Sequence, residues 1–117
     1  MLTEENIKQT LELVAELPVF YGEMSESEEE SEYVLFYRDG FERPEKSSQI
    51  TIIKRIVIYV CKGEITDELI VAIVDAMEKI GLKFQNSDAA LEQIGDTDEY
   101  NDTETFVFKH LVKRDGC

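Results

Sequence analysis

The chain has 117 residues, 43% of them hydrophobic, with twelve Lys and Arg against twenty-six Asp and Glu, one His, two Cys and a formal net charge of −14. That length predicts one domain spanning residues 1–117, with a core that needs neither metal nor disulfides. The composition excludes a disordered acidic tail, a cysteine-stapled secreted scaffold and a basic footprint for gripping nucleic acid.

Residues 3–17, TEENIKQTLELVAEL, read as a helix. Thr3 caps the first free amides, while Glu4 and Glu5 suit the positive end of the helix dipole. Leu2 and Ile7 have the spacing of a hydrophobic staple. Ile7, Leu11, Val14 and Leu17 form one apolar stripe, and Pro18 stops the helix. Val19–Tyr21 adds a short extended piece before Gly22. The aromatic run Tyr33–Tyr37 predicts a strand, and RDGFERPEKSS (38–48) a loop, because it combines Asp-Gly, a proline and two serines.

ITIIKRIVIYVC (50–61) is the strongest strand in the sequence, and it is mostly β-branched. Unbroken, it extends ~40 Å. Ile50, Ile52, Ile56, Ile58 and Val60 share one face, and Ile53, Val57 and Tyr59 share the other, as in a strand covered on both sides. Lys54 and Arg55 interrupt it, one on each face. Buried charges must be paired or reach solvent, so either the strand outruns its sheet here or a neighbouring subunit supplies acids.

Residues 66–80 predict a second helix, capped by Thr66, with Asp67 and Glu68 in its first turn. Leu69, Ile73, Met77 and Ile80 line one face, widened by Ile70 and Val74. Gly81 suits a left-handed stop, with Leu82 folding back on Met77. Residues 83–94 are ambiguous: Phe84 suits the start of a strand, while AALEQI fits either strand or helix. TETFVFKHLVKR (103–114) alternates Phe106, Phe108, His110 and Val112 against Val107, Lys109 and Leu111 and predicts a closing strand. The order predicts an α+β domain: an antiparallel or mixed sheet of about four to five strands with two helices on one face.

The negative charge is concentrated. Residues 23–32 hold six acids and residues 96–104 five, with no base in either run. The rest of the chain has fifteen acids against twelve bases, which is ordinary. Such patches repel nucleic acid and keep a chain soluble. Ser25 and Ser27 precede glutamates as acidic-directed kinases require, but any serine in an acidic run does so. The plainer reading is a solvated loop leading into a strand.

No catalytic constellation is legible. The single histidine, His110, alternates with two phenylalanines and reads as an edge-of-core imidazole. Cys61 ends an apolar run and reads as a buried structural thiol; both cysteines are expected free, in a reducing compartment. Met1–Asn6 offers neither the basic start nor the apolar core of a signal peptide. A calcium loop starting at Asp96 fails, because its sixth and twelfth positions are Asn101 and Val107 instead of glycine and glutamate. The expectation is a non-enzymatic chain with no metal and no cofactor.

Several segments together, LPVFYGEM, YVLFYRDG, ITIIKRIVIYVCKGE, TDELIVAIVDAM and a closing acidic turn with FVFKHL, resemble the tail terminator, or tail completion, proteins of long-tailed phages of Gram-positive bacteria. The resemblance lies in length, element order and character and covers nearly the whole chain. It implies a structural virion protein at the head-proximal end of the tail, assembled in the host cytoplasm. A hexameric ring of such chains stops tube polymerisation and docks the head connector. The implied partners are further copies of the chain, the tail tube protein and the head-tail connector protein. DNA passes through without specific binding, and no membrane is involved. On this resemblance Lys54 and Arg55 face acids of a neighbour, and Arg38, Asp39, Phe41 and Arg43 contact tube or connector. The acids Glu26, Glu28, Glu29, Glu30, Asp96, Asp98, Glu99 and Asp102 keep DNA off the channel wall. Two other readings of the sequence are an acidic DNA mimic or inhibitor and a small bacterial adaptor domain.

Overall fold

A computed structural model of the chain describes residues 3–22, 32–42, 51–93 and 97–113. The elements are α1 (Glu4–Ala15), β1 (Val19–Tyr21), β2 (Tyr33–Glu42), β3 (Thr51–Lys62), α2 (Asp67–Lys79), β4 (Lys83–Gln93) and β5 (Tyr100–Lys113). The five strands form one sheet in the order β1-β2-β3-β5-β4. β1 runs parallel to β2, and every other pairing is antiparallel. The fold is therefore α+β, with two helices and a five-stranded mixed sheet.

Local chemistry sets the helix limits. Thr3 Oγ1 accepts the Asn6 N–H at 3.1 Å, and Thr66 Oγ1 accepts that of Leu69 at 3.2 Å. α1 ends two residues before the apolar stripe does. Glu16 turns left-handed at φ 56° and donates its N–H to the Glu12 carbonyl. The following Leu17-Pro18 pair disfavours further helix, because a residue before proline is pushed out of the α region. Pro18 then presents its carbonyl to the Val34 N–H at 2.8 Å, which starts the β1–β2 pairing. α2 ends as its sequence predicts. Gly81 sits at φ 107°. Leu82 N–H reaches back to Met77 O at 3.0 Å and Gly81 N–H to Glu78 O at 3.2 Å, the paired bonds of a Schellman stop.

Two expectations are corrected or resolved by strand pairing. The segment expected to loop from residue 38 instead stays in β2 through Glu42. The pairing shifts between Arg38 and Gly40, which leaves Asp39 as an extra residue. Gly40, at φ 109°, absorbs the kink. Asp-Gly thus makes a bulge inside a strand, because β3 is long enough to keep pairing beyond it. The ambiguous 83–94 segment is an edge strand, paired with β5 from Lys83 opposite Lys109 to Gln93 opposite Tyr100.

The core lies between the helices and one face of the sheet. Ile7, Leu11 and Ala15 of α1 and Ile73 and Met77 of α2 meet Val34, Phe36, Ile56, Ile58, Val60, Phe106 and Phe108. Phe84, Phe106 and Phe108 pack ring on ring, with centroids 5.6–6.3 Å apart, within the range of favourable aromatic pairs. Val14 and Leu17 pack at the margin of this core.

The sheet outruns its helices. The helices have 12 and 13 residues and reach ~18–20 Å at 1.5 Å per residue. β3 has 12 residues and spans about twice that distance. Ile56–Ile58 are buried, whereas residues 52–55 are only half-buried. The ends of β2 and β5 accompany the start of β3, so a three-stranded arm projects beyond the packed body.

Candidate functional site

Three surfaces can carry contacts: the arm, the sheet face that no helix among the described residues covers, and the opposite, acid-rich end of the sheet. Pairing register places each side chain on them. On the arm, Gly40 lies opposite Arg55, and Arg55 opposite Lys109. This brings Arg55, Glu42 and Lys109 to the helix-free face. Arg55 donates to the Asp39 carbonyl at 2.9 Å, and its guanidinium lies 3.5 Å from both the Asp39 and Glu42 carboxylates. Lys109 Nζ holds the other Glu42 oxygen. The hydrogen bond from Lys109 is the main cause that keeps the Glu42 carboxyl below its ordinary pKa. The charges of Lys109 and Arg55 add to it, and burial opposes it.

Arg55 is therefore answered by Asp39 and Glu42 of its own chain, so the strand's second charge does not require a neighbour's acids. Lys54 points to the other face, between Phe41 and His110 in register, and pairs with no carboxylate among the described residues. Arg38 lies over the Phe41 ring, 5.4 Å from its centroid, a cation–π contact. Phe41 remains 46% exposed. Arg38, Asp39, Phe41, Lys54 and Arg55 thus gather on one arm. Arg43 lies outside the described residues.

The helix-free face carries Tyr33, Leu35 and Tyr37 of β2 beside Val57, Tyr59 and Cys61 of β3. With Ala90, Leu91, Glu92, Thr103 and Thr105 these tyrosines line a shallow concavity of about 530 Å³. At its centre Tyr59 Oη donates to Glu92 Oε2 at 2.6 Å. The Cys61 thiol lies 3.7 Å from the same oxygen, and Asn101 Nδ2 donates to Cys61 Sγ at 3.6 Å. Tyr33 packs on Tyr59 with centroids 6.1 Å apart. Burial, then the neighbouring Glu92 charge, pushes Tyr33 up to about 12. Burial, then the hydrogen bond to Glu92, raises Tyr59 further. Burial also raises Cys61, against the Asn101 hydrogen bond, which lowers it. A protonated, buried thiol is a poor nucleophile.

The acids divide into two kinds. Glu32 Oε2 accepts the Gly63 N–H at 2.8 Å, and Asp102 Oδ2 accepts that of Ile65 at 3.1 Å. Both pin the turn between β3 and α2, so Asp102 has a structural role beyond any surface charge. Asp98 and Glu99 are exposed. Glu26, Glu28, Glu29, Glu30, Asp96, Ser25, Ser27 and Cys117 lie outside the described residues, as do Leu2 and Ile50. No cluster of three or more metal-ligating side chains occurs among the described residues. His110 Nδ1 lies 3.1 Å from the Gly81 carbonyl, to which it donates.

Register also sorts the charge along the sheet. The end where β2 and β5 begin and β3 and β4 finish holds Glu32, Glu92, Asp98, Glu99, Asp102 and Glu104, with Lys62 as the nearby base. The arm end holds Arg38, Lys54, Arg55, Lys83 and Lys109 against Asp39 and Glu42. Lys83, Lys109, Glu42 and Glu92 were not singled out by sequence reasoning. Each is an isolated polar residue whose partner lies many residues away, and only strand order brings them together. No helix among the described residues is long and apolar enough to cross a membrane. No protein-family model matches the chain, and no curated protein matches it.

Proposed function

We propose that this chain is a structural virion protein that caps the head-proximal end of a phage tail tube as a ring of six copies. On this reading it ends tube polymerisation and presents the surface on which the head connector docks. The reading rests on the whole-chain resemblance in element order. The observation that supports it best is the shape of the sheet. A helix-covered face packs the core, while no described element covers the other face, the arm or the outer edge of the long strand β4. An edge strand with unpaired backbone groups is a surface that proteins cover or use.

On this reading, acids that the contacts between copies leave uncovered line the channel, where they repel DNA phosphates in transit. Arg38 and Phe41 on the arm are the contacts for tube or connector, and Lys54 faces acids of a neighbouring copy. A DNA mimic needs acids spread along an elongated face. Here the sheet carries opposite charge at its two ends, which favours an assembly unit. The reading is tested by growing tail tubes from purified tube protein with and without this chain. Arrested growth at substoichiometric amounts is expected. Tubes of unchanged length at saturating amounts would reject the reading.

A further inference from the structure

The two ends of the sheet are complementary in charge and in exposed apolar groups. β4 starts at Lys83, opposite Lys109, whereas β5 continues to Lys113. From His110 onward no described strand pairs with that edge of β5. A notch of about 430 Å³ occupies the gap, lined by Ile53, Gly81, Lys83, Gln85, His110 and Leu111 beside Lys109. Its apolar wall includes Leu111, which is 53% exposed. Lys83 at its rim pairs with no carboxylate among the described residues, and Lys54 carries a second such charge on the opposite face of the arm, so a partner that cups the arm meets both. This geometry suits an acidic surface with a protruding apolar side chain.

The far end of the same sheet has that chemistry. Leu91 and Tyr100 are 67% and 53% exposed and flanked by Glu92, Asp98 and Glu99. We propose that the basic arm of one copy seats on the acid-rich end of the next, with Leu111 and its notch against Tyr100 and Leu91. The inference deepens the ring reading and rests on it for the number of copies. Pairing like ends about a two-fold axis would oppose like charges, which costs affinity. A contact between two different surfaces repeats from copy to copy, and it closes into a ring when the rotation allows.

The test uses native mass and sedimentation of the full chain at about 50 and about 500 mM salt, since added salt shortens the reach of exposed charges. The wild type is expected to form an assembly larger than a dimer that weakens at high salt. Lys54→Glu with Lys83→Glu, or Asp98→Lys with Glu99→Lys, should each weaken it roughly tenfold or more. All four residues lie outside the core, and melting curves check that both variants fold. Leu111→Ser should weaken assembly without changing its salt dependence. Mixing the two charge-reversed variants should restore assembly, with the two alternating.

A wild type that stays monomeric at every salt concentration overturns the proposal. So does a complex that stops at two copies, or a mixture that fails to associate. Failure here is distinct from failure of the ring reading. A chain that assembles this way but leaves tube growth unchanged defeats only the capping role. A chain that arrests tubes while its mixed variants stay apart defeats only this interface.

Discussion

Tyr59→Phe isolates the centre of the helix-free face. The substitution keeps the ring against Tyr33 and removes one hydroxyl, whose bond to Glu92 is 2.6 Å long. A hydrogen bond to a charged group contributes about 1.5–3 kcal/mol net. Glu92 is exposed and rehydrates when its donor is lost, so no buried orphan remains and solvent screening takes the value to about 1 kcal/mol. For a chain of this length that is a fall of about 4 °C in Tm. Urea denaturation should show a lower midpoint with an unchanged slope. The pH dependence sharpens the test. Tyr59 and Tyr33 are raised above their ordinary value of 10.0. Their protonated forms therefore support the fold fully below pH 10, and that support is lost as pH rises. For Tyr33 the loss runs up to about 12. Wild-type stability should fall through this range, and less steeply in Tyr59→Phe. A loss above about 3 kcal/mol, or no measurable loss, would refute the assignment of an exposed, charge-assisted bond.

Phe108→Ala empties the centre of the three-ring cluster and should cost about 3–5 kcal/mol in urea denaturation. Gly81→Ala meets only ordinary contacts, the nearest being His110 Cε1 at 3.7 Å. Its cost of about 1–3 kcal/mol comes from holding a side chain at φ 107°, and circular dichroism should show α2 still formed. Glu42 is depressed in the folded state, so its support is present above its ordinary value of 4.5 and is lost as pH falls through the folded value. Lys109→Met should flatten that part of the acid denaturation curve.

Elements governed by local chemistry were legible in the sequence. The Thr3 and Thr66 caps, the Gly81 stop and the two faces of β3 each follow from residues within one turn or one pleat of each other. The readings that needed more depended on distant strands. Asp39-Gly40 has turn chemistry, and only the length of β3 keeps it inside β2. KFQNSDAALEQ carries no clear period, and β5 alone makes it a strand. Arg55 looked in need of a neighbour because its partners, Asp39 and Glu42, sit in a segment that reads as a loop. The polarity of charge along the sheet was illegible for the same reason. It arises when antiparallel pairing brings Lys83 and Lys109 to one end and Glu92 and Asp98 to the other.

The most direct test of the capping role is electron microscopy of purified tail tubes incubated with this chain. A six-fold ring of extra density at one end of each tube, and none along its length, is expected. Density decorating the tube wall, or tubes bare at both ends at saturating protein, would contradict it.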